Sequence, residues 1–210
     1  MQVRSVLLIN GSSYGRRGNS QRLLDRTHRF LPGNADRIEL VLAELPCEGE
    51  EGCVKQWSSA LARASAIIIA TGTYWDSWGW PLQRYLEWMT PTEGTSLWLG
   101  KPVGVLVTMH SVGGKCVLSR LQGVLSTFGA VIPPMSGLVY STVAHEHFQR
   151  LIGEHGADRV RASDVSADLW SLDDIEIVCH NLVMAMECGE ERPWRGWAVD
   201  RSRPSVCWLD

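Results

Sequence analysis

The run SAIIIAT at 65–71 is apolar through its centre, with no polar alternation. A strand with one face in water alternates apolar and polar residues, whereas a strand buried on both faces does not. A chain holding such a run has to cover it above and below. A parallel sheet between two layers of helices does this. The flanking sequence supplies both the sheet and the layers. VRSVLLIN (3–10), RIELVL (37–42) and KPVGVLVTM (101–109) read as further strands. AVIPP and the following MSGLVY (130–140) hold a fifth, with Pro133 and Pro134 marking an edge or exit. Between them lie amphipathic segments. The first carries Leu23, Leu24 and Leu31, and VKQWSSALARA (54–64) carries Val54, Trp57, Leu61 and Ala64 on one helical face. A helix opened by Pro81 presents Leu82, Tyr85, Leu86 and Met89, and one from Val117 to Phe128 stops at Gly129. Ser171 with Asp174 reads as a capping box opening a last helix through Ile175, Val178, Leu182, Val183 and Met186. The β-α alternation predicts an α/β doubly wound sheet of five parallel strands with helices on both faces.

At 210 residues the chain suits one domain with a real core. A formal charge of −3 gives no electrostatic reason to expect nucleic acid or an anionic membrane as partner. No apolar run is long enough to span a bilayer. The opening MQVRSVLLINGS lacks the apolar length and cleavage residues of a signal peptide. A cytoplasmic protein is expected. The six cysteines form no C-x-x-C pair, so free thiols are expected.

In open parallel sheets, ligands bind beyond the carboxyl ends of the strands, and that is where the unusual residues concentrate. NGSSYGRRGNS (10–20) follows the first strand and leads into a helix. Its glycines permit close backbone approach, and its hydroxyls and a helix N-terminus favour an anion. The spacing G-x3-G-x2-G is neither the dinucleotide fingerprint nor a P-loop. TGTYWDSWGWPLQRYLEW (71–88) follows the third strand, with four tryptophans and two tyrosines. Tyr74 and Trp75 are placed to border a planar ligand. Trp78, Trp80 and Trp88 read as core or subunit-contact residues. TMHSVGGK (108–115) follows the fourth strand and offers Thr108, His110 and Ser111 ahead of Gly113 and Gly114.

Together these loops resemble those of the NAD(P)H-dependent FMN reductases, which have a flavodoxin-like fold. The matching patterns are GSS…GNS-x-x-LL, T-x-TYW…PL-x-x-YL and T…GG…L-x-x-L, spread over residues 3–140. The resemblance implies FMN as cofactor, NADPH or NADH as co-substrate, and electron transfer to free flavin, a quinone or a similar small acceptor. It implies a phosphate site at Ser12, Ser13, Gly18, Asn19 and Ser20, with Arg16 or Arg17 supplying positive charge. Thr73, Tyr74, Trp75 and Asp76 would run along the isoalloxazine. Thr108, His110, Ser111, Gly113 and Gly114 would approach its polar edge. The hydride chemistry belongs to the cofactors, so no catalytic acid or base is expected. The chain departs from the family pattern at Tyr14, where an arginine is usual, and in a first loop one residue longer. It departs again at Asp76, Trp78 and Trp80, where small residues are usual. Related iron–sulfur flavoproteins carry four clustered cysteines near Cys47 and Cys53; two cannot ligate a cubane, so no cluster and no metal is expected.

The segment AHEHFQRLIGEHG (144–156) reads as a solvated surface, since His145 and His147 fall on different helical faces. Residues 1–188 are read as the FMN-binding domain. The Trp- and Arg-rich tail at 189–210 is expected to pack on that domain or on a partner subunit, in a homodimer or homotetramer. Two other readings stand beside the reductase: a flavodoxin-like electron carrier, and a degenerate member, its pocket filled by Trp78 and Trp80, acting in binding or assembly.

Overall fold

The computed structural model describes residues 4–44, 49–159 and 172–188. The tail at 189–210 and Ser171 of the expected capping box lie outside these residues. Five strands, β1 (Ser5–Asn10), β2 (Asp36–Val41), β3 (Ala66–Gly72), β4 (Val103–Met109) and β5 (Gly137–Ser141), pair in parallel in the order β2-β1-β3-β4-β5. The helices are α1 (Asn19–Thr27), α2 (Gly49–Arg63), α3 (Trp80–Met89), α4 (Gly114–Phe128), α5 (Thr142–His155) and α6 (Ile175–Cys188). This is the flavodoxin-like strand order, and it reverses between β1 and β3.

Every residue of β3 and β4 is buried. Period-two alternation therefore sorts apolar residues between two cores rather than between core and water. Leu7, Ile9, Ile67, Ile69, Val103, Val105 and Val107 join one core with α2, α3 and α4. Val6, Leu8, Ile68 and Leu106 join the other with Leu23 and Leu24 of α1 and Ile175, Val178 and Leu182 of α6. β2 lies at an edge and keeps Asp36 and Glu39 exposed, which discourages pairing with another strand.

The first core is rich in aromatic contacts. Trp57 of α2 lies 5.0 Å from Tyr85 and 5.8 Å from Trp88 of α3. Tyr85 meets Trp98 edge-on at 6.3 Å, and Trp98 lies 4.9 Å from Phe128 of α4. These rings tie α2, α3 and α4 into one layer. Trp88 thus packs where the sequence placed it, whereas Trp98, wholly buried in a turn-rich segment, has no periodic signature.

α5 is largely exposed and is capped by Ser141, whose Oγ accepts from the Ala144 N–H at 3.2 Å. α2 begins at Gly49, five residues before the expected start. The expectation of free thiols is corrected at one position. Cys116 and Cys179 are free, but Cys53 is disulfide-bonded. A disulfide needs two Cα atoms within about 4.4–6.8 Å, a condition that spacing in sequence does not report. Among the described residues, no helix is long and apolar enough to cross a membrane.

Lys101 precedes β4 and donates from Nζ to the Leu61 carbonyl in the last turn of α2. Burial lowers its pKa from 10.5 to about 8. Between those values the unfolded chain holds a proton that the folded chain has released, so this group makes stability rise with pH across that window. Buried Cys179, raised from 9.0 to about 12, acts in the opposite sense from pH 9 upward, as does Tyr85 at higher pH. Comparison with Lys101→Met isolates the lysine. In urea unfolding, the stability of wild type relative to the variant should be flat below pH 8 and rise from there toward 10.5. A flat difference throughout would show that the ammonium is not desolvated.

Candidate functional site

The three loops expected to carry chemistry converge at the carboxyl ends of β1, β3 and β4. The first is organised by Asn10, the last residue of β1, which is wholly buried. Its Nδ2 donates to the Gly15 carbonyl at 3.0 Å and to Gln21 Oε1 at 2.8 Å, while its Oδ1 accepts from the Ser12 N–H at 2.9 Å. One amide thus folds the loop back onto the first turn of α1. Ser12 is 3% exposed, and its Oγ accepts from the Tyr14 N–H at 3.2 Å. Residues Gly15–Arg17 form a 3₁₀ turn, and α1 starts after Gly18 with no side-chain cap. Ser20 is 1% exposed, and its Oγ has no hydrogen-bond partner among the described residues. Such a group is costly unless something else satisfies it.

The two arginines differ. Arg16 is held by acids: its N–H donates to Glu44 Oε1 at 2.7 Å, and its Nη1 donates to Glu39 Oε2 at 3.0 Å. Its Nε also lies 3.5 Å from Glu44 Oε2. Arg17 is exposed, as are Tyr14 and Asn19, and Ser13 is half-buried.

In the second loop, Tyr74 and Ser77 exchange backbone hydrogen bonds of 2.8 and 3.0 Å. The two residues between them have positive φ, 49° for Trp75 and 58° for Asp76, the signature of a type I′ turn. Thr73 Oγ1 is buried without a partner among the described residues. Trp78 is buried and donates from Nε1 to Gln83 Oε1 at 2.8 Å, whereas Trp75 and Trp80 are exposed. Arg120 of α4 braces this loop. Its Nη1 donates to the Asp76 carbonyl at 2.9 Å, and its guanidinium lies 5.4 Å from the Trp78 ring centroid.

In the third loop, the Thr108 carbonyl accepts from the Thr73 N–H at 2.8 Å, joining β4 to the second loop. The Thr108 hydroxyl is turned inward to the Thr71 carbonyl at 3.4 Å. His110 and Ser111 have exposed side chains, and the His110 carbonyl accepts from Ser141 Oγ at 3.1 Å. Gly113 caps α4 with φ 86°, and Gly114 is buried at its first turn.

Two glycines show how closely the loops meet. A Cβ on Gly113 would lie 2.1 Å from Asp76 Oδ1 and 3.2 Å from Thr73 Cγ2, so the second and third loops touch there. A Cβ on Gly79 would lie 3.1 Å from both the Gly11 carbonyl and Ser13 Oγ, and 3.3 Å from the Tyr74 ring, so the first and second loops touch there.

Ser12 therefore lies against Gly18 and Ser13 against Gly79, while Thr73 and Asp76 lie against Gly113. Asn10, Gln21, Glu39, Glu44 and Arg120, which hold these loops, were not among the expected site residues. Only Asn10 left a readable sign, as an amide directly after an apolar strand.

The sequence from 4 to 145 matches the model of the NADPH-dependent FMN reductase family. That is most of the chain, and the protein belongs to this family: it is a flavoprotein oxidoreductase whose cofactors are FMN and NAD(P)H. No sequence among the curated proteins matches it. Among solved structures it is similar to an oxidoreductase from Corynebacterium diphtheriae, with 16% identity over 89% of this chain and 98% of that one and a TM-score of 0.65. It is similar to RosB with a bound 8-demethyl-8-formylriboflavin-5'-phosphate intermediate, with 12% identity over 99% and 95% of the two chains and a TM-score of 0.68. It is also similar to FerB, a flavoenzyme NAD(P)H:(acceptor) oxidoreductase from Paracoccus denitrificans, with 20% identity over 83% and 98% and a TM-score of 0.55. At these identities the likeness is one of fold.

Asn10→Ala removes both hydrogen bonds from its Nδ2 and the acceptor of a third, all in a buried setting. Unfolding in urea should show a loss of about 3 kcal/mol, the scale of stranding buried polar groups. A loss below about 1 kcal/mol, that of a single ordinary hydrogen bond, would show that the loop is held by other contacts.

Proposed function

We propose that this protein binds FMN across the β1/β3 switch point and uses NADH or NADPH to reduce a small acceptor such as free flavin or a quinone. The observation that carries this reading is the pair of buried hydroxyls, Ser20 Oγ at the start of α1 and Thr73 Oγ1 after β3, that lack partners among the described residues. A phosphate would satisfy the first and the polar edge of a flavin the second. The residues present therefore fit the group.

The phosphate would lie at the uncapped N-terminus of α1, where backbone N–H groups and the helix dipole favour negative charge. Ser12, Ser13, Asn19 and Ser20 would surround it. Arg17, exposed and without an ion pair among the described residues, would add charge from outside, while Arg16 neutralises Glu39 and Glu44 beside the loop. Thr73 and Tyr74, with the backbone of Trp75 and Asp76, would edge the ring, and the Gly113-Gly114 backbone would face its polar side. His110 and Ser111 would border the opening, and Thr108 would set the distance between the second and third loops. When bound, FMN supplies the hydride-accepting and electron-donating chemistry. The chain supplies stacking, orientation and a partly dry setting. The alternation of nicotinamide and acceptor at one face suggests ping-pong kinetics.

The reductant is an intracellular metabolite, which supports a cytoplasmic enzyme, and the exposed apolar side chains of Met135, Ile177 and Met184, outside the three loops, support a homodimer or homotetramer. A carrier that never meets a nicotinamide would bind FMN without oxidising NAD(P)H. A degenerate member would bind no FMN; Trp78 packs in the core with its Nε1 on Gln83 of α3, and Trp80 is exposed, which argues against the two rings filling the cleft.

The test is the visible absorption of the purified protein with and without added FMN, followed by NADH and NADPH oxidation. A bound-flavin spectrum with nicotinamide oxidation is expected. No spectrum with excess FMN would overturn the reading. Asp76 adds a second expectation. Its exposed carboxylate lies against Gly113, on the side of the cleft assigned to the polar edge of the flavin. A negative charge there disfavours an anionic reduced ring. Asp76→Asn should raise the FMN midpoint potential by on the order of 20 mV, the scale of one screened charge acting on a two-electron couple. An unchanged or lowered potential in redox titration would place the carboxylate away from the ring.

A further inference from the structure

We propose that Trp75 is the residue that selects the electron acceptor, its indole stacking on acceptors that carry a flat fused ring. The proposal rests on the flavin-site reading above.

The backbone is the first observation. A type I′ turn needs positive φ at both central positions, and Asn-Gly or Gly-Gly meets this without steric cost. Here the positions hold Trp75 at 49° and Asp76 at 58°. A bulky side chain in this region is an outlier, and such strain persists where the structure holds it in place for use. The clamp is visible: two backbone hydrogen bonds between Tyr74 and Ser77, and the Arg120 guanidinium on the Asp76 carbonyl.

The second observation is what the strained residue does within the fold, which is nothing. Trp75 is 101% exposed, while Trp57 and Trp98 are fully buried. A tryptophan stabilises a fold through its buried area, and this one buries none. Its neighbour differs, since the Asp76 side chain lies against Gly113. The strain at Trp75 thus serves display of the ring and not folding.

The third observation is the company it keeps. Each ligand loop carries one strongly exposed large apolar residue: Tyr14 on the first, Trp75 on the second and Val112 on the third, at 68%, 101% and 76% exposure. Trp80, 56% exposed, adds another ring at the start of α3. Such a rim favours apolar, planar molecules over small or strongly charged ones. An indole face presented from one loop suits stacking on a naphthoquinone or an isoalloxazine.

Trp75→Gly and Trp75→Asn test this, because both residues accept positive φ and so keep the turn. Each variant is compared with wild type using menadione, a naphthoquinone, and ferricyanide, which takes electrons without stacking. The ratio of kcat/KM for menadione to that for ferricyanide should fall at least tenfold, with the loss in the KM for menadione. The melting temperature of the FMN-loaded protein should rise as the strain is relieved. An unchanged ratio overturns the proposal. So does an equal loss for both acceptors with loss of bound FMN, which would make Trp75 a cofactor contact. An unchanged ratio with a smaller sedimentation coefficient would assign the ring to a subunit contact instead. If wild type binds no FMN, the underlying flavin reading fails first, and its absorption spectrum shows this before any variant is made.

Discussion

Burial of β3 and β4 on both faces is the constraint on which the rest of this structure depends. With no residue of either strand in water, the sheet needs a helical layer on each side. Parallel pairing with helical crossovers provides both layers. The strand order then reverses between β1 and β3 and opens a crevice at their carboxyl ends. The site is a consequence of that geometry. The loops after β1, β3 and β4 have to meet above the crevice, and they carry glycines where they touch.

Within the crevice, rigidity and availability are divided between residues. Asn10, Glu44 and Arg120 are occupied: each makes hydrogen bonds that hold a loop in place. Ser20 and Thr73 are available: their hydroxyls are buried and lack partners among the described residues. A loop held by one set of side chains and presenting another is preorganised, so little ordering is needed when a ligand arrives. The paired acids around Arg16 fit the same scheme. Glu39 and Glu44 flank the first loop, and the Arg16 guanidinium between them offsets their charge.

The fold was legible because its signals are local or periodic. The apolar runs at 65–71 and 101–109, the faces carrying Trp57 and Leu61 or Leu82 and Tyr85, and the stop at Gly129 can all be read along the chain. That the three loops would converge was legible through their position after strands. What the sequence did not show are the contacts between distant residues. Nothing near Arg120 indicates that it reaches the Asp76 carbonyl, forty-four positions away. Nothing near Glu44 indicates that it accepts from the Arg16 backbone. The disulfide at Cys53 and the burial of Trp98 likewise depend on proximity in space. The Thr108 hydroxyl adds another such contact, reaching the Thr71 carbonyl thirty-seven positions away.

The central claim is that the α1 N-terminus, with Ser12 and Ser20, is a phosphate site joined to a ring site at Thr73 to Asp76. The most direct measurement is calorimetric titration of the cofactor-free protein with FMN and with riboflavin, which differ only in the phosphate. FMN should bind about a hundredfold more tightly, the equivalent of roughly 2.7 kcal/mol, and the difference should shrink in Ser20→Ala. Equal affinities for the two ligands would contradict the assignment of this loop to phosphate.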